Sequence, residues 1–189
     1  MTLLILGLIL FLGVHSVSIV SPAWRDAMQA RLGEGPWKGL YSLLSIAGFV
    51  LIVVGYGLAR QDPVVVYVPP TWLRHLALLL LVPVFPLLLA AYLPGRIKTA
   101  AKHPMLLSVK LWATAHLLAN GNAADVLLFG GFLAWAVADR ISFKHRAQRP
   151  LPGAPAGPLN DAIAVVGGLA IYALFIFGGH AWLIGVAPI

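Results

Sequence analysis

Two of the six histidines in this 189-residue sequence lie inside long apolar runs. His15 sits in Leu12-Gly13-Val14-His15-Ser16, and His116 closes Lys110-Leu111-Trp112-Ala113-Thr114-Ala115-His116. A polar ring among leucines must find a partner or bind something, because hydrocarbon offers it no water. Two neutral imidazoles on different helices suit bis-histidine axial ligation of a b-type haem, and Gly13 beside His15 lets a flat macrocycle approach the backbone. The alternative is that each ring makes one interhelical hydrogen bond and binds nothing. The residues alone leave both open. At a rise of about 1.5 Å per residue, the two histidines differ in depth by roughly 5–10 Å, which helix tilt and the span of an axial pair can absorb.

Further candidates share the second segment. His103 precedes Pro104 at a membrane boundary, where it either touches a polar group of a cofactor or caps a helix start. Lys110 pairs with a cofactor carboxylate or snorkels to the interface. Asn120, one turn beyond His116, orients the second ring nitrogen or makes a turn with Gly121. Trp112 is grouped with them as cofactor-binding. His75 is expected at the interface with Trp72, His145 in solvent, and His180 near the outer surface without a role.

Other chemistries lack their residues. There is no HExxH pair, glycine-rich phosphate loop, Ser-His-Asp arrangement or carboxylate pair within a span. The chain has no cysteine, which excludes disulfides, Cys-ligated iron–sulfur clusters, thiolate-bound haem, c-type attachment and a cysteine nucleophile.

The elements that must hold these residues are transmembrane helices. The sequence is 60% hydrophobic and 10% charged, with a mean hydropathy of +0.91. A soluble domain would carry roughly a quarter charged residues. The expected fold is an all-α polytopic bundle in a lipid bilayer, one domain over 1–189. Its six helices are expected near 1–20, 37–59, 72–93, 105–119, 123–138 and 161–177. The first helix lacks a preceding positive charge and reads as retained rather than cleaved. Gly48 and Gly55 suit close helix contact, while Pro83 and Pro86 predict a bend, read as a packing kink in preference to a ligand cavity. The net charge of +7 is a topology signal rather than a nucleic-acid footprint. Eleven of the thirteen Lys and Arg residues, all but Arg60 and Arg74, fall in or beside alternate loops, which predicts both termini outside. The segment 149–158 reads as a linker or surface loop.

Several stretches together resemble the NnrU family of bacterial membrane proteins: Leu10-Phe11-Leu12-Gly13-Val14-His15-Ser16, Gly35-Pro36-Trp37-Lys38-Gly39-Leu40-Tyr41-Ser42-Leu43, and His103-Pro104-Met105-Leu106. Lys110-Leu111-Trp112-Ala113-Thr114-Ala115-His116-Leu117-Leu118-Ala119-Asn120-Gly121 and Leu127-Leu128-Phe129-Gly130 continue the match. The resemblance implies a multi-pass protein of the bacterial inner membrane linked to nitrite and nitric oxide metabolism in denitrification. It also implies kinship with plant-type 15-cis-ζ-carotene isomerase, a haem b enzyme whose two histidine ligands fall on His15 and His116. That relative has a cysteine where this chain has Ala113, so a thiolate ligand is absent. The functions implied are a haem b protein handling nitric oxide, in catalysis or in assembly and sensing, and a haem-dependent cis–trans isomerase of an apolar polyene. A third reading is methyl transfer from S-adenosylmethionine, since Lys102-His103-Pro104-Met105 is similar to the Arg-His-Pro-X-Tyr stretch of isoprenylcysteine-type methyltransferases. A homo-oligomer is compatible with all three.

Overall fold

The computed structural model describes every residue except 148, 150 and 151. It is all-α, with one isolated β-bridge (Val65 to Asn122) and no strand among the described residues. Four helical stretches are long and apolar enough to cross a membrane: Thr2–Val20, Glu34–Ala59, Trp72–Ala90 and Asn160–Ile184. The chain is therefore an all-α helical membrane protein. It forms two compact units, each assembled from two separated stretches: Met1–Pro69 with Ala119–Gln148, and Pro70–Leu118 with Arg149–Ile189.

In the first unit, α1 (Thr2–Val20) packs along α3 (Glu34–Ala59) through glycines. A Cβ on Gly7 would lie 2.6 Å from the Ile52 nitrogen, and one on Gly48 would lie 2.8 Å from the Phe11 nitrogen. Gly55 faces the Leu4 backbone in the same way, so the two backbones approach as the small residues allow. Between them, residues expected to form a loop make a helix, α2 (Pro22–Leu32). Pro22 is pre-set for a first helical turn, and Gly33 ends the helix at φ 85°, which favours glycine. The helix buries no residue, which is why apolar patterning gives no sign of it. α3 starts three residues earlier than expected, where Glu34 pairs with Lys38 one turn on at 2.6 Å.

The second stretch of this unit holds α8 (Ala123–Ser142), four residues longer than expected. Asn122 and Asp125 form a capping box at its start, and Asp125 also accepts the Tyr56 hydroxyl at 2.6 Å. At its end, Arg146 pairs with the Asp139 carboxylate, and its Nε donates to Ser142 Oγ at 2.9 Å, so the helix can run through Asp139-Arg140. The Gly121 carbonyl accepts from the amides of Val66 and Tyr67 at 2.9 and 3.1 Å, which ties the Asn-Gly-Asn turn to the 60–69 connector.

In the second unit, the expected bend divides α4 (Trp72–Leu81) from α5 (Val84–Ala90). Pro83 has no N–H for the Leu79 carbonyl, so the Val82 amide turns to Leu79 at 3.3 Å and releases the Leu78 carbonyl. The Tyr172 hydroxyl donates to that carbonyl, and Ser108 donates to the carbonyl of Val84 at 2.9 Å. Neighbouring side chains thus satisfy the bend, as a packing kink requires.

α6 (Arg96–Ala101) and α7 (Pro104–Ala119) follow. Asp161 caps α6 by accepting from the amides of Arg96 and Ile97 at 2.8 and 3.0 Å. α9 (Asn160–Leu174) then runs through a π-helical turn, Phe175–Gly179, into α10 (His180–Ile184), beyond the end expected near residue 177. The chain thus has ten α-helices among its described residues rather than six, because connectors expected as loops contain short helices and proline or glycine divides two long ones.

Candidate functional site

In the first unit, an aromatic cluster surrounds His15 on α1. Its ring stacks on Phe11 at 4.2 Å between centroids, tilts against Tyr41 at 5.2 Å and meets Trp135 edge-on at 6.0 Å. His15 Nδ1 lies 2.7 Å from the Phe11 carbonyl, one turn back. A carbonyl only accepts, so in the neutral ring Nδ1 carries the proton and Nε2 carries the lone pair. The Trp135 indole nitrogen is buried, and its N–H has no acceptor among the described residues. Arg25 and Asp139 both act electrostatically on Tyr41, so charge lies close to this aromatic cluster.

In the second unit, His116 on α7 repeats the device. Its Nδ1 lies 2.8 Å from the carbonyl of Trp112, again one turn back, and the two rings are 5.3 Å apart. The main-chain carbonyl of Asn120 accepts the Tyr67 hydroxyl at 2.7 Å. His180, at the start of α10, lies 6.4 Å from His116 with the rings 27° from parallel. The sequence reading gave His180 no role, and no local signal links it to His116.

His103 and Lys110 contribute differently. Pro104 is the first residue of α7, and the His103 carbonyl accepts the Leu107 amide at 3.1 Å, as a residue capping a helix start does. The His103 amide bonds the Ala101 carbonyl at 2.6 Å around Lys102, which sits at φ 58° and ψ −46°. This is the rare γ-turn with positive φ, so Lys102 holds a strained backbone just before His103. Lys110 is partly exposed and has no hydrogen-bond or ion-pair partner among the described residues. His145 is exposed, as expected.

The donor chemistry fits a haem. Histidine that ligates a metal commonly donates its other ring N–H to a carbonyl, which fixes the tautomer and raises the basicity of the ligating nitrogen. His15 and His116 both have that arrangement. Close to His15, the Trp135 N–H is an unused donor, and a Cβ on Gly13 would meet nothing within 4 Å, so that part of α1 is not consumed by helix packing.

The sequence profile of the family described as "NnrU protein" matches residues 3–188. Comparisons with curated proteins and with solved structures return no match. The profile spans both units and includes both His15 and His116, so the chain belongs to the NnrU family.

Proposed function

We propose that this protein binds haem b in the bacterial inner membrane, that His15 and His116 are the residues that would hold it, and that it serves nitrite and nitric oxide metabolism. One observation carries the reading: both imidazoles donate Nδ1–H to the carbonyl one turn back and so present Nε2 as a base. Bound haem would supply a redox-active iron. The chain's own residues do the rest. Phe11 and Tyr41 hold the His15 ring in place, and the Phe11 carbonyl keeps it in the ligating tautomer. The Trp112 carbonyl does the same for His116, and the buried Trp135 N–H would offer a donor to the bound group.

Methyl transfer has less support. Asp139, in the last turns of α8, is committed to Arg146 and Ser142 and so is not available as an acidic group for such a cofactor. Lys102-His103 forms a strained turn and a helix start.

The test is a reduced-minus-oxidised visible spectrum of the protein in mild detergent, expressed with ample haem. A bis-imidazole b-type spectrum that His15→Ala abolishes is the expected result. Well-folded wild-type protein without that spectrum overturns the proposal. The expected orientation, with both termini outside, is read by labelling single cysteines in this cysteine-free chain. An impermeant maleimide should reach Gln61→Cys from outside and leave Arg31→Cys unlabelled.

A further inference from the structure

One residue separates α2 from a spanning helix on either side: Ser21 joins it to α1, and Gly33 joins it to α3. At a rise of about 1.5 Å per residue it is about 16 Å long, half of what a hydrocarbon core of about 30 Å requires. It cannot cross the membrane, and its short tethers hold it at the face where α1 ends and α3 begins.

The helix buries nothing within the protein, yet its surface is two-sided. Trp24, Met28 and Leu32 follow one another at i, i+4 and i+8. That stripe is too sparse to announce a helix, but all of it falls on one side. Ala23, Asp26 and Ala30 occupy the opposite side and are exposed. Trp24 and Leu32 stay 52% and 43% exposed, so the protein leaves much of the stripe uncovered.

Trp24 also meets Trp37 edge-on at 6.3 Å, and Trp37 belongs to α3. The stripe therefore turns toward a spanning helix rather than away from it. Arginines stand at both of its edges. Arg25 is held by Asp26, and its guanidinium lies 5.8 Å from the Trp37 ring. Arg31 is exposed and makes no hydrogen bond or ion pair among the described residues. A helix lying on lipid presents this pattern, with large side chains sunk below and cations level with the phosphates.

We propose that α2 lies in the plane of the bilayer surface, with Trp24, Met28 and Leu32 sunk among the headgroups and upper acyl chains of phospholipid. The occupant of the stripe is lipid, continuous with the lipid around α1 and α3, and haem plays no part in holding it. Seated in this way, α2 fixes the depth of Arg25, which acts electrostatically on Tyr41 beside His15.

The test is a spin-label accessibility scan of the full-length, cysteine-free chain in vesicles of phosphatidylcholine and phosphatidylglycerol. Met28→Cys and Leu32→Cys place a label on the stripe, and Ala23→Cys and Ala30→Cys place one opposite. Oxygen concentrates among acyl chains, whereas a hydrophilic nickel chelate stays in water. The ratio of oxygen to nickel collisions should be several-fold higher at 28 and 32 than at 23 and 30. Equal or reversed ratios overturn the proposal. So do labels at 28 and 32 that neither reagent reaches, because a second copy of the chain would then cover the stripe. Trp24→Phe gives a reading without a label, should the cysteine variants fail to fold. In vesicles of lipid brominated near the headgroup, wild type should lose a larger fraction of its tryptophan emission than Trp24→Phe does. An equal loss overturns the proposal as well.

Discussion

The hydroxyl of Tyr172 donates to the carbonyl of Leu78 at 2.9 Å, across 94 residues of sequence. It covers the acceptor that Pro83 sets free, so the cost of putting proline in a spanning helix is met by a side chain from another helix. Tyr172→Phe keeps the ring and removes the donor. A buried carbonyl left unsatisfied costs about 1–3 kcal/mol. Each kcal/mol lowers the melting temperature of a chain this size by about 2–4 °C. Thermal denaturation in detergent, followed by recovery on size exclusion, should show that loss. An unchanged midpoint would mean that another donor reaches Leu78.

Glycine has two meanings in α1 and α3, and substitution separates them. A Cβ on Gly48 would lie 2.8 Å from the Phe11 nitrogen, which is backbone and cannot move aside alone. Gly48→Ala should cost about 1–3 kcal/mol through overpacking. A Cβ on Gly13 meets nothing within 4 Å, so Gly13→Ala should leave the melting temperature unchanged. If a macrocycle lies against Gly13, the same variant lowers haem content per protein, measured by the pyridine haemochrome assay.

The apolar runs were legible because lipid makes two demands at once: continuous apolar side chains and internally satisfied backbone. The Pro83 bend was legible because proline lacks an N–H, but its remedy was not, because Tyr172 lies far along the chain. α2 escaped because it buries nothing, although Ser21-Pro22 and Gly33 mark both of its ends. His15 and His116 were visible as polar residues in apolar surroundings. Their Phe11 and Trp112 carbonyl partners follow from helical spacing and could have been read off as well. Tyr41 and Trp135 are aromatic residues among many, and only the packing of separate helices brings them to His15. His180 was hidden for a related reason, since a π-helical turn is not a sequence pattern.

Asp139-Arg140 looked like the end of a span, yet α8 continues to Ser142 because the Asp139 charge is matched by Arg146, seven residues on. Both side chains are about nine-tenths buried, at 12% and 9% exposure, and Arg146 also covers the Phe143 ring at 4.3 Å. Removing one partner of a buried pair costs about 3–5 kcal/mol, because the other charge is left alone. Arg146→Met and Asp139→Asn should each destabilise by that order. The double variant Asp139→Leu/Arg146→Met should recover much of the loss. A double variant as unstable as the sum of the singles would mean that each charge has an independent partner.

Trp135 gives the sharpest separation between folding and binding. Its indole N–H is buried without an acceptor among the described residues, and an unsatisfied donor costs about 1–3 kcal/mol. Trp135→Phe removes that penalty and keeps an aromatic edge near His15. Without haem, the variant should be at least as stable as wild type, because the lost ring area offsets part of the gain. With haem, the order should reverse, since the N–H is then a donor to the bound group. Melting curves of apo and haem-loaded protein, taken side by side, read both signs in one experiment. If Trp135→Phe lowers the apo melting temperature and leaves haem retention alone, the indole serves packing and has no part in holding the cofactor.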